Sequence, residues 1–213
     1  EPDASRLAAG FELFNVRTGA SLLAQRLPST ERGLRATAHR IADLVFERLT
    51  GVPGAFSTRI AYVTVNGRPP SQRFRLVVAD ADGFNPRTVM ESTEPIMSPA
   101  WSPDGQNLAY VSFEGKASAI YTQRLSSGER RRVSARAGIN GAPAWSPDGR
   151  RLALTLSRDG NLDIYTLELA TQTLTRVTSD DAIDTEPEWS HDGQSLYFTS
   201  DRAGNAQIYR VAL

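Results

Sequence analysis

Trp101-Ser-Pro-Asp-Gly105, Trp145-Ser-Pro-Asp-Gly149 and Trp189-Ser-His-Asp-Gly193 are three versions of one pentapeptide, with tryptophans 44 residues apart both times. A period of that length belongs to propeller blades, in which each repeat is one four-stranded antiparallel sheet. The landmarks around the pentapeptide keep their offsets. An apolar strand follows each Asp-Gly: Leu108-Ala-Tyr-Val, Leu152-Ala-Leu-Thr and Leu196-Tyr-Phe-Thr. A glycine turn comes next (Gly115, Gly160, Gly204), then Ile120-Tyr121, Ile164-Tyr165 and Ile208-Tyr209, and in two copies a fourth strand ending at Val133 and Val177. The four strands of a repeat are named A to D.

Asp-Gly between apolar strands predicts a tight hairpin in which both turn residues take positive φ. Pro99, Pro143 and Pro187 precede the tryptophans. Proline is tolerated where no ladder N–H is needed, so strand A is the inner edge, lining a central channel. The indoles are large enough to be inter-blade packing. Glu129-Arg-Arg-Arg132 on strand D reads as an outer edge guarded by charge against pairing with other chains.

A further copy precedes these three. Arg59-Ile-Ala-Tyr-Val63, Arg73-Phe-Arg-Leu-Val-Val78 and Arg87-Thr-Val89 match strands B, C and D, with no strand A in front. The expected architecture is therefore mainly β: a partial propeller of about three and a half four-stranded blades, an open arc with an apolar end face. Rings have roughly four to eight blades. The expectation is a fragment of a longer protein, with the strand that closes the ring downstream of Leu213.

The first fifty residues have a different pattern. Phe11-Glu-Leu-Phe-Asn-Val16 and Ser21-Leu-Leu-Ala24 flank Thr18-Gly19 as a hairpin. Leu34, Ala38, Ile41, Val45 and Leu49 then follow helical spacing up to Gly51. Residues 1–54 are read as the C-terminal remnant of an α/β domain, and 55–213 as propeller.

Formal net charge is zero, from 24 basic and 24 acidic residues, so no global field draws in nucleic acid or an anionic bilayer. The absence of cysteine excludes disulfides, thiolate metal sites and cysteine nucleophiles. No run of about 18 apolar residues is present, so no membrane span is expected. The opening Glu1-Pro-Asp-Ala4 has no signal-peptide character, and any export signal is expected to have been removed or to lie upstream.

Catalytic constellations are scarce. His39 falls on the helix, and His191 replaces the proline of the repeated turn; both read as structural positions. No Gly-x-Ser-x-Gly elbow, His-Glu-x-x-His or phosphate-cradling loop occurs, so no enzyme and no cofactor are expected. Asp180, Asp181, Asp184 and Glu186 form the one acidic cluster. They could hold Ca²⁺ through hard oxygen ligands, although a solvated loop is the simpler reading. The D–A loops share one face of a meander with the B–C loops. Glu94 to Ser98, Asn140-Gly141-Ala142 and Asp184-Thr185-Glu186 would therefore ring the channel mouth as a candidate binding surface.

The repeat Pro-Ala-Trp-Ser-Pro-Asp-Gly with Leu-Ala-Tyr-Val and Ile-Tyr resembles the TolB family of the Tol–Pal envelope system. Ala55-Phe-Ser-Thr-Arg-Ile-Ala-Tyr-Val63, Asn140-Gly-Ala-Pro-Ala-Trp145, Asp184-Thr-Glu-Pro187 and the helix end Ala42 to Gly51 are similar to that family's more specific stretches. The resemblance implies a two-domain, non-enzymatic periplasmic scaffold whose six-bladed propeller binds the lipoprotein Pal across the channel mouth. Colicin translocation domains use the same face, and the system supports outer-membrane integrity and invagination at division. The site it implies comprises Met97, Ser98, Asn140, Gly141, Ala142, Asp184, Thr185 and Glu186. The family's TolA-binding segment, most of its first domain and its last two blades have no counterpart here. Two alternatives stand beside it: the propeller of a prolyl-oligopeptidase-like serine peptidase, and a lone carbohydrate- or ion-binding propeller.

Overall fold

The computed structural model describes residues 6–213, and the chain divides into two compact units. One comprises the described part of Glu1–Ile60 with Ala79–Pro86, the other Ala61–Val78 with Arg87–Leu213.

In the first unit, β1 (Arg6–Phe14) and β2 (Ser21–Thr30) form an antiparallel pair, longer than the expected hairpin strands. Its turn is organised by Asn15, whose Oδ1 accepts the N–H groups of Arg17 and Thr18 at 3.0 and 3.2 Å. Helix α1 spans Leu34–Thr50 and stops at Gly51, which takes φ 74° and returns its N–H to the Glu47 carbonyl, as a left-handed cap requires.

The apolar stripe expected on α1 is only partly covered: Leu34, Ala38 and Leu49 are exposed, and the helix's one buried residue is Asp43. The reason lies after the helix. Asp43 Oδ1 and Oδ2 accept the N–H groups of Phe56 and Ser57 at 2.7 and 3.1 Å, satisfying two donors of an irregular segment. That segment packs so closely that a Cβ on Gly54 would strike both the carboxylate and the main chain of Asp43. His39 belongs to the same grip, with Nδ1 against the Phe56 carbonyl and Nε2 3.4 Å from Asp82.

Of the other sheets, the last three repeat at 44 residues, with inner strands starting at Ile96, Asn140 and Asp184. β3 (Arg59–Asn66), β4 (Arg73–Asp80) and β5 (Arg87–Ser92) pair in that order. β6 (Ile96–Trp101), β7 (Asn107–Ser112), β8 (Ala119–Arg124) and β9 (Arg130–Ser134) form a four-stranded meander. So do β10 (Asn140–Trp145), β11 (Arg151–Leu156), β12 (Asp163–Glu168) and β13 (Leu174–Arg176). The last sheet is β14 (Asp184–Trp189), β15 (Ser195–Ser200) and β16 (Gln207–Ala212).

Three apolar clusters lie between successive sheets. Leu76, Val78 and Met90 meet Ile96, Leu108 and Tyr110; Ala109, Val111, Ile120 and Val133 meet Leu152, Leu154, Leu156, Tyr165 and Leu167; Ala144, Ala153 and Ile164 meet Trp189, Leu196 and Phe198. Strand B shows why the repeat reads as continuously apolar. Along β7, Leu108 and Tyr110 face one neighbouring sheet while Ala109 and Val111 face the other, so both faces are buried. Each fully buried leucine contributes on the order of 1.5–3 kcal/mol relative to exposure.

The tryptophans occupy equivalent inter-sheet positions. The indole N–H of Trp145 donates to the Ala100 carbonyl at 3.3 Å, and that of Trp189 to Ala144 at 3.1 Å. β10 is thereby tied to β6, and β14 to β10.

The A–B turn differs from expectation. Gly105, Gly149 and Gly193 take φ 64°, 70° and 69°, but the preceding aspartates do not take positive φ. The turn instead runs from Ser102 to Gly105, closed by the glycine N–H on the serine carbonyl with proline second, and it recurs at 146–149. The aspartate has a different task. Asp148 Oδ1 accepts the Ser146 hydroxyl at 2.6 Å and the Arg150 N–H at 3.0 Å, and Asp192 does the same with Ser190 and Gln194.

Candidate functional site

The three inner strands β6, β10 and β14 share an irregularity that the sequence did not reveal. Their register with strand B shifts between Met97 and Ala100, between Gly141 and Ala144, and between Thr185 and Glu188. At each shift two residues, Ser98-Pro99, Ala142-Pro143 or Glu186-Pro187, oppose one on the partner, which is a β-bulge. The first bulge residue has φ 49° at Ser98, 44° at Ala142 and 52° at Glu186. A side chain with a Cβ pays a steric cost in that region, and the following proline restricts the residue further. Three-fold repetition at equivalent positions marks a built feature, and such outliers cluster at functional sites. The expected mouth loops are therefore corrected: Ile96 to Ser98, Asn140 to Ala142 and Asp184 to Glu186 lie within the inner strands.

Met97 (52 % exposed), Ser98 and Glu186 are exposed, while Gly141, Ala142 and Thr185 are half-buried. The Glu186 side chain makes no hydrogen bond or ion pair among the described residues.

Asn140 and Asp184 behave differently. Both are fully buried, which corrects their placement as contact residues. Asn140 Oδ1 accepts the Ser134 hydroxyl (2.7 Å) and the Arg136 N–H (2.9 Å), its Nδ2 donates to the Arg136 carbonyl (2.8 Å), and its own N–H reaches Ser118 Oγ (2.8 Å). Asp184 is held by Arg202, whose Nη2 lies 3.0 and 2.9 Å from its two carboxylate oxygens. The equivalent residue in the earlier strand, Ile96, is buried in an apolar cluster. One station is thus anchored by packing, one by an amide network and one by an ion pair.

Part of the acidic cluster is engaged within the chain. Asp184 faces a guanidinium, and Asp180 Oδ1 accepts the Ala182 N–H at 3.0 Å.

Two rim residues escaped the sequence reading. Ile139 and Ile183, immediately before the buried anchors, are 51 % and 49 % exposed. Their N–H groups are held by Ser157 Oγ at 2.7 Å and Asp201 Oδ1 at 2.8 Å. Their 44-residue separation was the available signal, but apolar residues before a strand read as core. The rim thus combines apolar side chains, small residues and the unpaired Glu186 carboxylate above buried anchors, a composition suited to a protein partner. His191 is exposed in its turn.

Comparison with known proteins agrees with this geometry. Residues 46–213 match the model of the TolB beta propeller domain. The Tol-Pal system protein TolB of Methylococcus capsulatus is 56 % identical over 141 residues, covering 66 % of this chain and 33 % of that protein. The crystal structure of TolB from Acinetobacter baumannii superposes with a TM-score of 0.91 at 44 % identity, covering 97 % of this chain and 52 % of that one. The chain thus spans about a third of the length of that curated relative. A puromycin-hydrolyzing peptidase of Mycobacterium tuberculosis is also similar, with a TM-score of 0.56, 97 % of this chain and 34 % of that one covered, and 19 % identity. That likeness concerns the fold alone. Among the described residues no helix is long and apolar enough to cross a membrane. With its blades, its bulged inner strands and a matching model over most of its length, the chain belongs to the TolB β-propeller family.

Proposed function

We propose that this chain is part of a non-enzymatic periplasmic scaffold of the Tol–Pal system, which binds the lipoprotein Pal through the bulged rim. The residues assigned to contact are Met97, Ser98, Gly141, Ala142, Thr185 and Glu186, with Asn140 and Asp184 as positioning residues beneath them. The carrying observation is the coincidence of three positive-φ bulge residues at the rim with an exposed glutamate that has no internal partner. Residues 1–54 are assigned to the end of the preceding α/β domain and 55–213 to the propeller. Engagement of TolA is assigned to the longer protein. Support of outer-membrane integrity and of invagination at division, and use of the same face by colicin translocation domains, complete the proposal.

Calorimetric titration with the soluble domain of Pal tests it. Glu186→Ala is expected to weaken binding about ten-fold, a loss of about 1.4 kcal/mol, with an unchanged melting temperature. Unaltered affinity removes Glu186 from the site, and no binding by the unmodified chain removes the Pal reading.

A further inference from the structure

The chain has two methionines, seven residues apart, in opposite environments. Met90 on β5 is 7 % exposed and packed with Leu76, Val78 and Tyr110; Met97 on β6 is 52 % exposed. Met97 pairs with Val111 and is the last regular residue before the bulge at Ser98-Pro99. The half-exposed Met97 side chain stands next to the bulge residue Ser98. No cysteine is present to compete for an oxidant. Two of the three indoles donate to main-chain carbonyls within the inter-sheet packing. The exposed thioether is therefore the most accessible oxidisable group on this face.

We propose that Met97 is an oxidant-sensitive contact, a modification site through which oxidation weakens partner binding at the rim. The proposal rests on the reading of the rim as the Pal-binding surface. The reagent is a two-electron oxidant, a peroxide or hypochlorous acid. The thioether sulfur attacks the electrophilic oxygen of HOCl, an S–O bond forms as the O–Cl bond breaks, chloride departs with the electron pair, and the hydroxyl proton is lost to water. Sulfur is oxidised to the sulfoxide and the oxidant is reduced to chloride. The product replaces a flexible apolar contact by a polar, chiral one, which disfavours an apolar interface.

The test treats the folded chain with a small excess of hypochlorous acid, follows oxygen addition by peptide mass spectrometry, and titrates the soluble domain of Pal before and after. The peptide carrying Met97 is expected to gain one oxygen at least about ten-fold faster than the one carrying Met90, because attack requires access. Binding is expected to weaken about ten-fold on oxidation. Met97→Leu, compared with its own untreated affinity, is expected to lose none on treatment. Equal oxidation rates, undiminished binding by the oxidised chain, or the same loss in the oxidised Met97→Leu protein each overturn the proposal. Failure of the untreated chain to bind Pal is a different result: it defeats the reading of the rim first, and the proposed switch with it.

Discussion

Asp184 and Arg202 form a two-point ion pair in which the carboxylate is wholly buried while the guanidinium keeps a solvent-facing edge and lies 4.8 Å from the Tyr209 ring centroid. Burial opposes the charge on Arg202, but its bonds to Asp184 outweigh that and raise its pKa. Removing one partner strands the other. Arg202→Met is expected to cost about 3–5 kcal/mol in urea unfolding, as loss of a buried ion's partner does. Asp184→Asn is expected to cost less, because an amide at the equivalent Asn140 satisfies the same station.

The bulges offer a prediction of opposite sign. Ala142 has φ 44°, a region in which glycine suffers no Cβ clash. Ala142→Gly is expected to stabilise the fold by about 0.5–1 kcal/mol, after allowance for the extra freedom of the unfolded chain. Ala142→Val is expected to destabilise it. Denaturant midpoints at constant slope decide both.

Acid sensitivity should trace to the repeated turn. Hydrogen bonds from Ser102, Ser146 and Ser190, then from main-chain N–H groups, hold Asp104, Asp148 and Asp192 below the ordinary carboxylate range. Asp43 is also lowered, because its hydrogen bonds outweigh the burial that opposes them. A depressed folded pKa gives stability that is present above the unfolded value near 3.8 and lost as pH falls through the folded one. Stability should therefore be flat with respect to these groups from pH 7 to about 5 and decline below about 4. Ser146→Ala should cost about 1–2 kcal/mol at neutral pH and make the acid decline shallower. Unfolding midpoints measured as a function of pH test the sign.

Thr155 carries the one buried side-chain polar atom without a hydrogen-bond partner among the described residues, its Oγ1. It is 3 % exposed on β11. Thr155→Val keeps the branched shape and removes the unsatisfied hydroxyl, so a gain of about 1 kcal/mol in thermal or urea unfolding is expected. A loss would reveal a partner for that oxygen.

The strand order of the last three sheets was legible from the 44-residue period, the first sheet from its likeness to them, and the inter-sheet role of the indoles from their size. Periodicity reports which faces are buried, and each blade strand of this fold buries one face or both. The helix shows the limit. Its apolar stripe suggested a core face, whereas the structure buries Asp43 because the irregular segment after the helix needs a carboxylate for two main-chain donors.

By itself, then, the sequence determined the repeating antiparallel unit, since spacing and turn chemistry are local. Only the tertiary structure decided which rim residues face solvent. Asn140 reaches Ser118 across 22 residues, and Asp184 reaches Arg202 across 18. A bulge exists only as a mismatch between two paired strands. Neither a partner brought from another strand nor a mismatch in pairing is a property of any short stretch of chain, and both arise only when the sheets assemble.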